Sequence, residues 1–256
     1  HSLRRRQRQM CIRDSPYFAR IVDGIVGAGF AAGYKIMLLP TNYDMTIERH
    51  YLEDLRSKAY DALIFTSRSS SLETLEHYRK YGQIVCCEDP GDDRELAAAY
   101  TDRMASYVTA LRWAKQRGYQ TMGVILSRNN VISASTRVTR RAYHDVYGQL
   151  TDERLFTGAA TYEDGYRAGE YFAKQTDWVD AIFANGDDIG AGAYQYFIDH
   201  QLSPIPIIGQ ENLLTSRLLK FSTIDHHLES LGQSAFRLAM GNTRTHELIK
   251  SEFIQR

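Results

Sequence analysis

The chain has 256 residues, 43% hydrophobic and 24% charged, which is ordinary globular composition with enough apolar side chain for a real core. Charge balances at 31 basic and 31 acidic residues, but Arg4, Arg5, Arg6, Arg8 and Arg13 all precede residue 15. The remainder carries 26 basic against 30 acidic residues, a poor non-specific binder of a phosphate backbone, and its longest apolar runs are too short to span a bilayer.

Residues 1–14 show neither helical nor strand periodicity. The run resembles translated adapter DNA more than native protein, so it is set aside from the fold, and with it the option of a basic nucleic-acid-binding arm. No apolar stretch behind its arginines suggests a secretory signal. From Pro16, the residues Phe18, Ile21, Val22, Ile25, Val26 and Phe30 share one helical face, and Gly33 supplies the stop. Tyr34 to Leu39 reads as a strand ended by Pro40-Thr41-Asn42. A helix bearing Ile47, Tyr51, Leu52 and Leu55 leads to a buried strand, Ala62 to Phe65. Ser71 is placed to cap a helix carrying Leu72, Leu75 and Tyr78, followed by a strand at Ile84 to Cys87. Neighbours on a strand point to opposite faces, so Cys86 and Cys87 read as two small buried residues and not as a disulfide.

The alternation continues with a helix through Met104, Tyr107, Val108 and Leu111, a strand at Met122 to Leu126, and helices near 137–147 and 164–175. Then come a strand at Ala181 to Ala184, a helix over 188–200, a strand at Ile205 to Ile208, a short strand at Ser222 to Ile224 and a last helix over 228–240. Short apolar strands separated by amphipathic helices imply βαβ units and parallel sheets covered on both faces. So many units favour two smaller sheets over one wide one. Ligands in such sheets sit beyond the carboxyl ends of the strands, which makes the loops after strands the place to search.

Gly27-Ala28-Gly29 with Gly33 formally matches a dinucleotide-binding loop. That loop needs a strand before it and a helix opening at it, whereas these glycines end a helix. They read as close-packing positions (Gly27, Gly29) and a cap (Gly33), and no cofactor is expected. His226-His227 lacks the companions of a metal site. Asp187-Asp188 reads as a helix cap with a dipole partner, not an acid/base pair. No nucleophile elbow, zinc-protease motif or phosphate loop occurs, so no enzyme is expected. What remains is a set of polar and aromatic residues on strand-end loops: Tyr17, Phe18, Asp44, Ser67 with Arg68, Arg137, Arg140, Tyr162, Asn185, Asp187 and Glu211. Fixed polar groups with an aromatic ring are what a sugar-like ligand requires.

Several segments resemble the effector-binding core of the lactose-repressor (LacI/GalR) family of bacterial transcription regulators. Ser15-Pro16-Tyr17-Phe18 resembles the Asn-Pro-Phe-Phe start of that family's first core helix. Tyr60-Asp61-Ala62-Leu63-Ile64 resembles its Val-Asp-Gly-Ile-Ile segment, and Arg117-Gly118-Tyr119-Gln120-Thr121-Met122-Gly123 its Arg-Gly-His-Lys-x-Ile-Gly junction. Ala181-Ile182-Phe183 through Asp187-Asp188 and Gly192 is similar to its Ala-Ile-Phe-x-x-Asn-Asp signature, and Ser222-Thr223-Ile224 to its Thr-Thr-Ile segment. The resemblance covers residues 15–256. Gly186 stands where the family usually has Asn, and Gln210-Glu211 where it has Tyr or Phe followed by Asp. Thr139 stands at the expected place of the effector-loop arginine, so Arg137 and Arg140 both stay candidates.

The resemblance implies two similar parallel-sheet lobes of periplasmic-binding-protein type joined by three crossings. They are expected at 15–117 plus 225–243 and at 118–224 plus 244–256. A small effector, expected to be a carbohydrate, would bind between them and control DNA affinity of a cytoplasmic homodimer through a helix-turn-helix headpiece absent from this sequence. Tyr17 and Phe18 would line the site from the first lobe. Tyr162 would stack on the ligand, while Arg137 or Arg140, Asp187 and Glu211 would hold its hydroxyls. A stand-alone solute-binding protein serving a transporter is the alternative on the same fold.

Overall fold

The computed structural model describes residues 16–91, 95–127, 134–175 and 178–256. Its backbone divides into two compact units, residues up to Thr101 with His227–Ile249, and Asp102–His226 with Lys250–Arg256. The chain therefore passes from one unit to the other three times.

The first unit contains α1 (Pro16–Ala31), α2 (Met45–Arg56), β1 (Ala62–Phe65), α3 (Leu72–Arg79), β2 (Gln83–Cys86) and β3 (Ala97–Asp102). After the second unit, α9 (Leu228–Met240) and β9 (His246–Lys250) complete it. Its sheet runs β1-β2-β3-β9, with β1, β2 and β3 parallel. Val85 and Cys87 pack with α1 and α9 on one face, while Ile84 and Cys86 pack with α2 and α3 on the other. The adjacent cysteines thus lie on opposite faces, both buried and neither in a disulfide, and burial pushes the Cys87 thiol pKa up. Ser71 caps α3 as expected, accepting from the Thr74 amide at 3.2 Å.

The second unit is larger. It holds α4 (Arg103–Gln116), β4 (Met122–Leu126), α5 (Ala134–Tyr147), β5 (Leu155–Thr157), α6 (Tyr162–Ala173) and β6 (Ala181–Phe183). Next come α7 (Asp187–Asp199), β7 (Ile207–Gln210), α8 (Leu214–Leu219), β8 (Ser222–Asp225) and, at its end, β10 (Glu252–Ile254). The six strands run β10-β8-β7-β6-β4-β5, parallel except for β10 against β8. Along β4 the side chains alternate: Met122, Val124 and Leu126 pack with α4 and α5, while Ile125 packs with α6 and α7. Complete burial of side chains such as Phe172 and Phe197 in this second layer contributes about 2–3 kcal/mol each.

One helix pair in each unit is in backbone contact. A Cβ on Gly24 of α1 would lie 2.1 Å from the Glu229 carbonyl oxygen, and one on Gly232 of α9 would lie 2.1 Å from that of Ile21. In the second unit a Cβ on Gly165 of α6 would lie 2.0 Å from the Ile189 carbonyl oxygen, and one on Gly192 of α7 would lie 2.0 Å from that of Tyr162. Only glycine permits these approaches. Gly27 does not share that role, because nothing lies within 4 Å of its Cβ position, whereas Gly29 meets the Ile36 side chain.

Four local expectations change. Tyr34 to Leu39 is extended but forms no strand among the described residues; Tyr34, Met37 and Leu38 are exposed, so its apolar character is not spent in a sheet. Residues 97–102 form a central strand that reads poorly from sequence because Ala97, Ala98 and Ala99 favour helices. The strands β5, β9 and β10 and the short α8 are further elements, all half-buried or brief. Finally, the buried face of α4 (Tyr107, Ala110, Leu111, Ala114) packs with Met122, Val124 and Tyr143 of the second unit.

Candidate functional site

In the second unit the strands β6 and β7 end side by side, and three expected residues come together there. Asn185 follows β6, Gly186 and Asp187 begin α7, and Glu211 follows β7. A Cβ on Gly186 would lie 3.6 Å from a Glu211 carboxylate oxygen, so this position faces the Glu211 side chain. Glu211 is buried, donates its amide to the Ile224 carbonyl at 2.7 Å, and has φ +94°. A non-glycine residue there is strained, by about 1–3 kcal/mol, and such strain clusters at functional sites.

Asn185 donates its side-chain Nδ2 to the Ala159 carbonyl at 3.1 Å. A carbonyl can only accept, which fixes the orientation of the amide. The other end, Oδ1, is buried with no hydrogen-bond partner. An orphaned buried acceptor costs about 1–3 kcal/mol and calls for a donor.

Asp187 is fully buried and already engaged. One carboxylate oxygen accepts from the Leu213 amide at 2.7 Å and the other from the Thr223 hydroxyl at 2.6 Å. Burial pushes its pKa up to about 6, against the opposing pull of Ser216, Thr223, the Leu213 amide and Arg256. A Cβ on Gly209 would lie 2.1 Å from an Asp187 oxygen, so the strand beside it has room only for glycine. Asp187 thus ties α7 to β8 and to the start of α8, while Asp188 accepts from the Thr215 hydroxyl.

Other expected residues are placed elsewhere. Tyr162 opens α6 with its carbonyl against Gly192, and the residue is 41% exposed. Burial, followed by Asp199 and Glu163, raises its phenol pKa. The Gly192 contact sets the start of α6 against the sixth residue of α7, while Asn185 and Glu211 stand where α7 begins. Arg137 and Arg140 lie on the first turns of α5, beyond β4. Arg137 is exposed, and Arg140 is half-buried with its Nε buried and without a hydrogen-bond partner. Residues 128–133, before them, lie outside the described residues.

In the first unit, Tyr17 and Phe18 begin α1 with their rings edge-to-face, 5.1 Å between centroids. Asp44 is the N-cap of α2, accepting from the Thr46 amide at 2.7 Å, and Ser67 donates to Glu88 at 3.2 Å. Glu48, which no sequence motif marks, organises this edge. Fully buried, it accepts from the Ser69 amide at 2.8 Å, the Ser70 amide at 2.7 Å and the Ser70 hydroxyl at 2.6 Å. It pins the loop after β1 to α2. Only the run Ser69-Ser70-Ser71 hinted at a partner for it, since an acidic residue in a first helical turn ordinarily serves the helix dipole.

Among the described residues, no group of three or more His, Cys, Asp or Glu side chains could hold a metal ion, and no helix is long and apolar enough to cross a membrane. The polar groups at the second unit's strand ends are mainly acceptors, suited to binding hydroxyl donors. The family described as "Periplasmic binding proteins and sugar binding domain of LacI family" matches residues 10–251. The chain belongs to this family. Among curated proteins, the chain is similar to catabolite control protein B of Bacillus subtilis (strain 168), 38% identical over 88% of this chain and 72% of that protein. Two solved structures share the fold. One is an uncharacterized protein from Actinobacillus succinogenes (TM-score 0.83, 23% identity, 94% of this chain and 93% of that one). The other is a LacI family transcriptional regulator from Lactobacillus casei with bound glucose (TM-score 0.83, 17% identity, 96% of each chain). The chain is therefore the effector-binding core of a LacI-type transcriptional regulator, and not an enzyme.

Proposed function

We propose that the effector is a carbohydrate or carbohydrate derivative, recognised at the carboxyl ends of β6 and β7. The observation that carries this reading is the buried, partnerless Oδ1 of Asn185, next in the chain to Gly186, the position that faces the Glu211 carboxylate. Two neighbouring acceptors match the hydroxyl donors of a polyol, and an arginine of α5, Arg137 or Arg140, supplies donors for its oxygens. Asp187 supports the site from behind by fixing the start of α7 and the segment after Glu211. Tyr17, Phe18, Asp44 and Ser67 are proposed to contribute from the first unit. The glucose bound by the Lactobacillus casei regulator supports the ligand class.

In this reading the full regulator is a cytoplasmic homodimer whose DNA affinity, exercised through an N-terminal headpiece, follows effector occupancy. Exposed Phe30 (85% accessible), Tyr34, Met37 and Leu38 offer the first unit an apolar surface for pairing. Sedimentation of residues 16–256 at micromolar concentration should give twice the chain mass; a monomer counts against the pairing. A thermal-shift screen beginning with D-glucose and sucrose tests the ligand class. A binding sugar should stabilise the fold by about 2.7 kcal/mol at a hundredfold excess over its Kd. If amino acids or nucleobases raise the melting temperature and no sugar does, the carbohydrate reading fails.

A further inference from the structure

Gln210, the last residue of β7, is buried and bonded through both ends of its side-chain amide. Its Nε2 donates to the Ala184 carbonyl at 3.0 Å, immediately before Asn185. Its Oε1 accepts from the Tyr107 hydroxyl at 2.6 Å and faces Nε2 of His226 at 3.1 Å. His226 is buried too, and its Nδ1 lies 2.9 Å from the Ser251 hydroxyl oxygen. All five residues belong to the second unit. Three of them stand close to the points where the chain leaves or enters it. Tyr107 follows the Thr101/Asp102 passage on α4, His226 immediately precedes the next, and Ser251 follows the last.

The proton inventory of this network has one solution at Gln210. Nε2 points at a carbonyl, which can only accept, so the opposite atom is the oxygen. That oxygen cannot donate, so the His226 Nε2 that faces it carries the proton. Both ends of the Gln210 amide are thus engaged, and the residues on either side of this junction, Asn185 after Ala184 and Glu211 after Gln210, are those assigned to the effector. We propose that Gln210 is a positioning residue for effector recognition. Its amide holds the ends of β6 and β7 in register for Asn185 and Glu211, and through Tyr107 and His226 it ties that register to the three chain passages. The assignment of Asn185 and Glu211 as effector contacts is taken from the proposed function above. Rearrangement at the site is thereby felt where the chain crosses between units, which is what a regulator core requires.

The test needs no effector, so its outcome is independent of the sugar screen. Nitrogen-15 NMR of the whole chain reads the His226 ring directly. A proton on Nε2 is expected, and a ring protonated on Nδ1 alone would overturn the proposal, since it could not donate to Gln210. Amide hydrogen exchange then reads the site. Exchange of the Glu211 amide, which donates to the Ile224 carbonyl, should accelerate about tenfold in Tyr107→Phe and in His226→Leu. The Leu213 amide, held by Asp187, serves as the internal reference and should stay within about threefold. His226→Gln keeps a donor at the Nε2 position and should restore Glu211 exchange to near the parent rate, a rescue that general loosening of the core would not give. Tyr107→Phe removes one hydroxyl with little change of shape, so a variant that folds is assured a reading even if His226→Leu does not. Unchanged Glu211 exchange in Tyr107→Phe, or equal acceleration at Glu211 and Leu213, overturns the proposal.

Discussion

The two units solve the same packing problem alike and bury polar groups differently. Each packs a parallel sheet between helices and brings one helix pair, α1/α9 or α6/α7, to backbone contact through glycines. In the first unit the fully buried charged side chain is Glu48, which is spent on one loop. The second unit buries Asp187, Gln210, Glu211, Ser216, Ser222, Thr223 and His226 on and around β7, β8 and the start of α7. Apolar layers hold up both scaffolds, but among the described residues the second unit buries more polar groups beside its parallel strands. Burying so many polar groups is costly unless each is matched, so their concentration marks the edge at which function constrains the sequence.

The sharpest way to break the shared part of the comparison is at the helix pairs. Gly165→Leu or Gly24→Leu places a side chain about 2 Å from a backbone oxygen, which cannot move aside as a side chain would. Each should cost roughly 4 kcal/mol or more, read as a fallen midpoint in denaturant melts. Gly27→Ala, on the same helix as Gly24 but with open space at its Cβ, should stabilise by roughly 0.5–1 kcal/mol instead. Equal effects at Gly24 and Gly27 would remove backbone contact as the explanation.

The next largest effect belongs to Asp187 and depends on pH. Its carboxyl titrates at about 6 when folded, through burial, against 3.8 as the ordinary value. The unfolded chain gives up the proton first, so folding takes one up between about pH 4 and pH 6. Stability is therefore highest below that window, falls by roughly 3 kcal/mol as pH rises through it, and flattens above. Asp187→Asn has no proton to exchange, so the gap in stability between the parent and this variant should shift by that amount between pH 4 and pH 7. A gap that stays constant across that range would mean Asp187 titrates normally. Its first-unit counterpart, Glu48, should show a smaller effect in Glu48→Gln, about 2 kcal/mol at pH 7. One acceptor oxygen survives there while an amide NH2 replaces the other against donors from Ser69 and Ser70.

Much of this was legible in the residues. The helix and strand succession, the cap at Ser71, the opposed cysteines and the family were all readable from apolar period, capping chemistry and motif order. What was hidden has physical causes. Tyr34 to Leu39 has a strand's composition, yet a strand needs a partner, and sequence does not say whether one is present. Ala97-Ala98-Ala99 is buried by its neighbours in spite of its own propensity. The site was half visible. Asn185, Asp187 and Glu211 stand out as polar residues after apolar runs, and the structure gathers them. Whether such a residue faces a ligand or the interior depends on partners distant in sequence: Asp187 is engaged by Leu213 and Thr223, Gln210 by Tyr107 and His226. No local pattern around Glu48 or Gln210 announces that role.

The smallest expected effect on stability carries the most about function. Asn185→Ala removes one hydrogen bond, to the Ala159 carbonyl, and also removes an acceptor that is buried without a partner. The loss and the relief oppose each other, so the fold should change by less than about 1 kcal/mol in either direction. Binding should respond quite differently. If Oδ1 waits for a ligand hydroxyl, its removal should weaken the sugar identified by thermal shift by about 1–3 kcal/mol, five- to 150-fold in Kd. Tyr162→Ala is the matched control and the test of the stacking expectation. If its exposed ring does not stack on the sugar, the same titration should be unchanged; a loss as large as that of Asn185→Ala would place the ring in the site. A variant at Asn185 that is markedly less stable but binds as the parent does would make the residue a structural clip between β6 and the Ala159 loop, and the effector contact would then have to be sought at Glu211 and the α5 arginines.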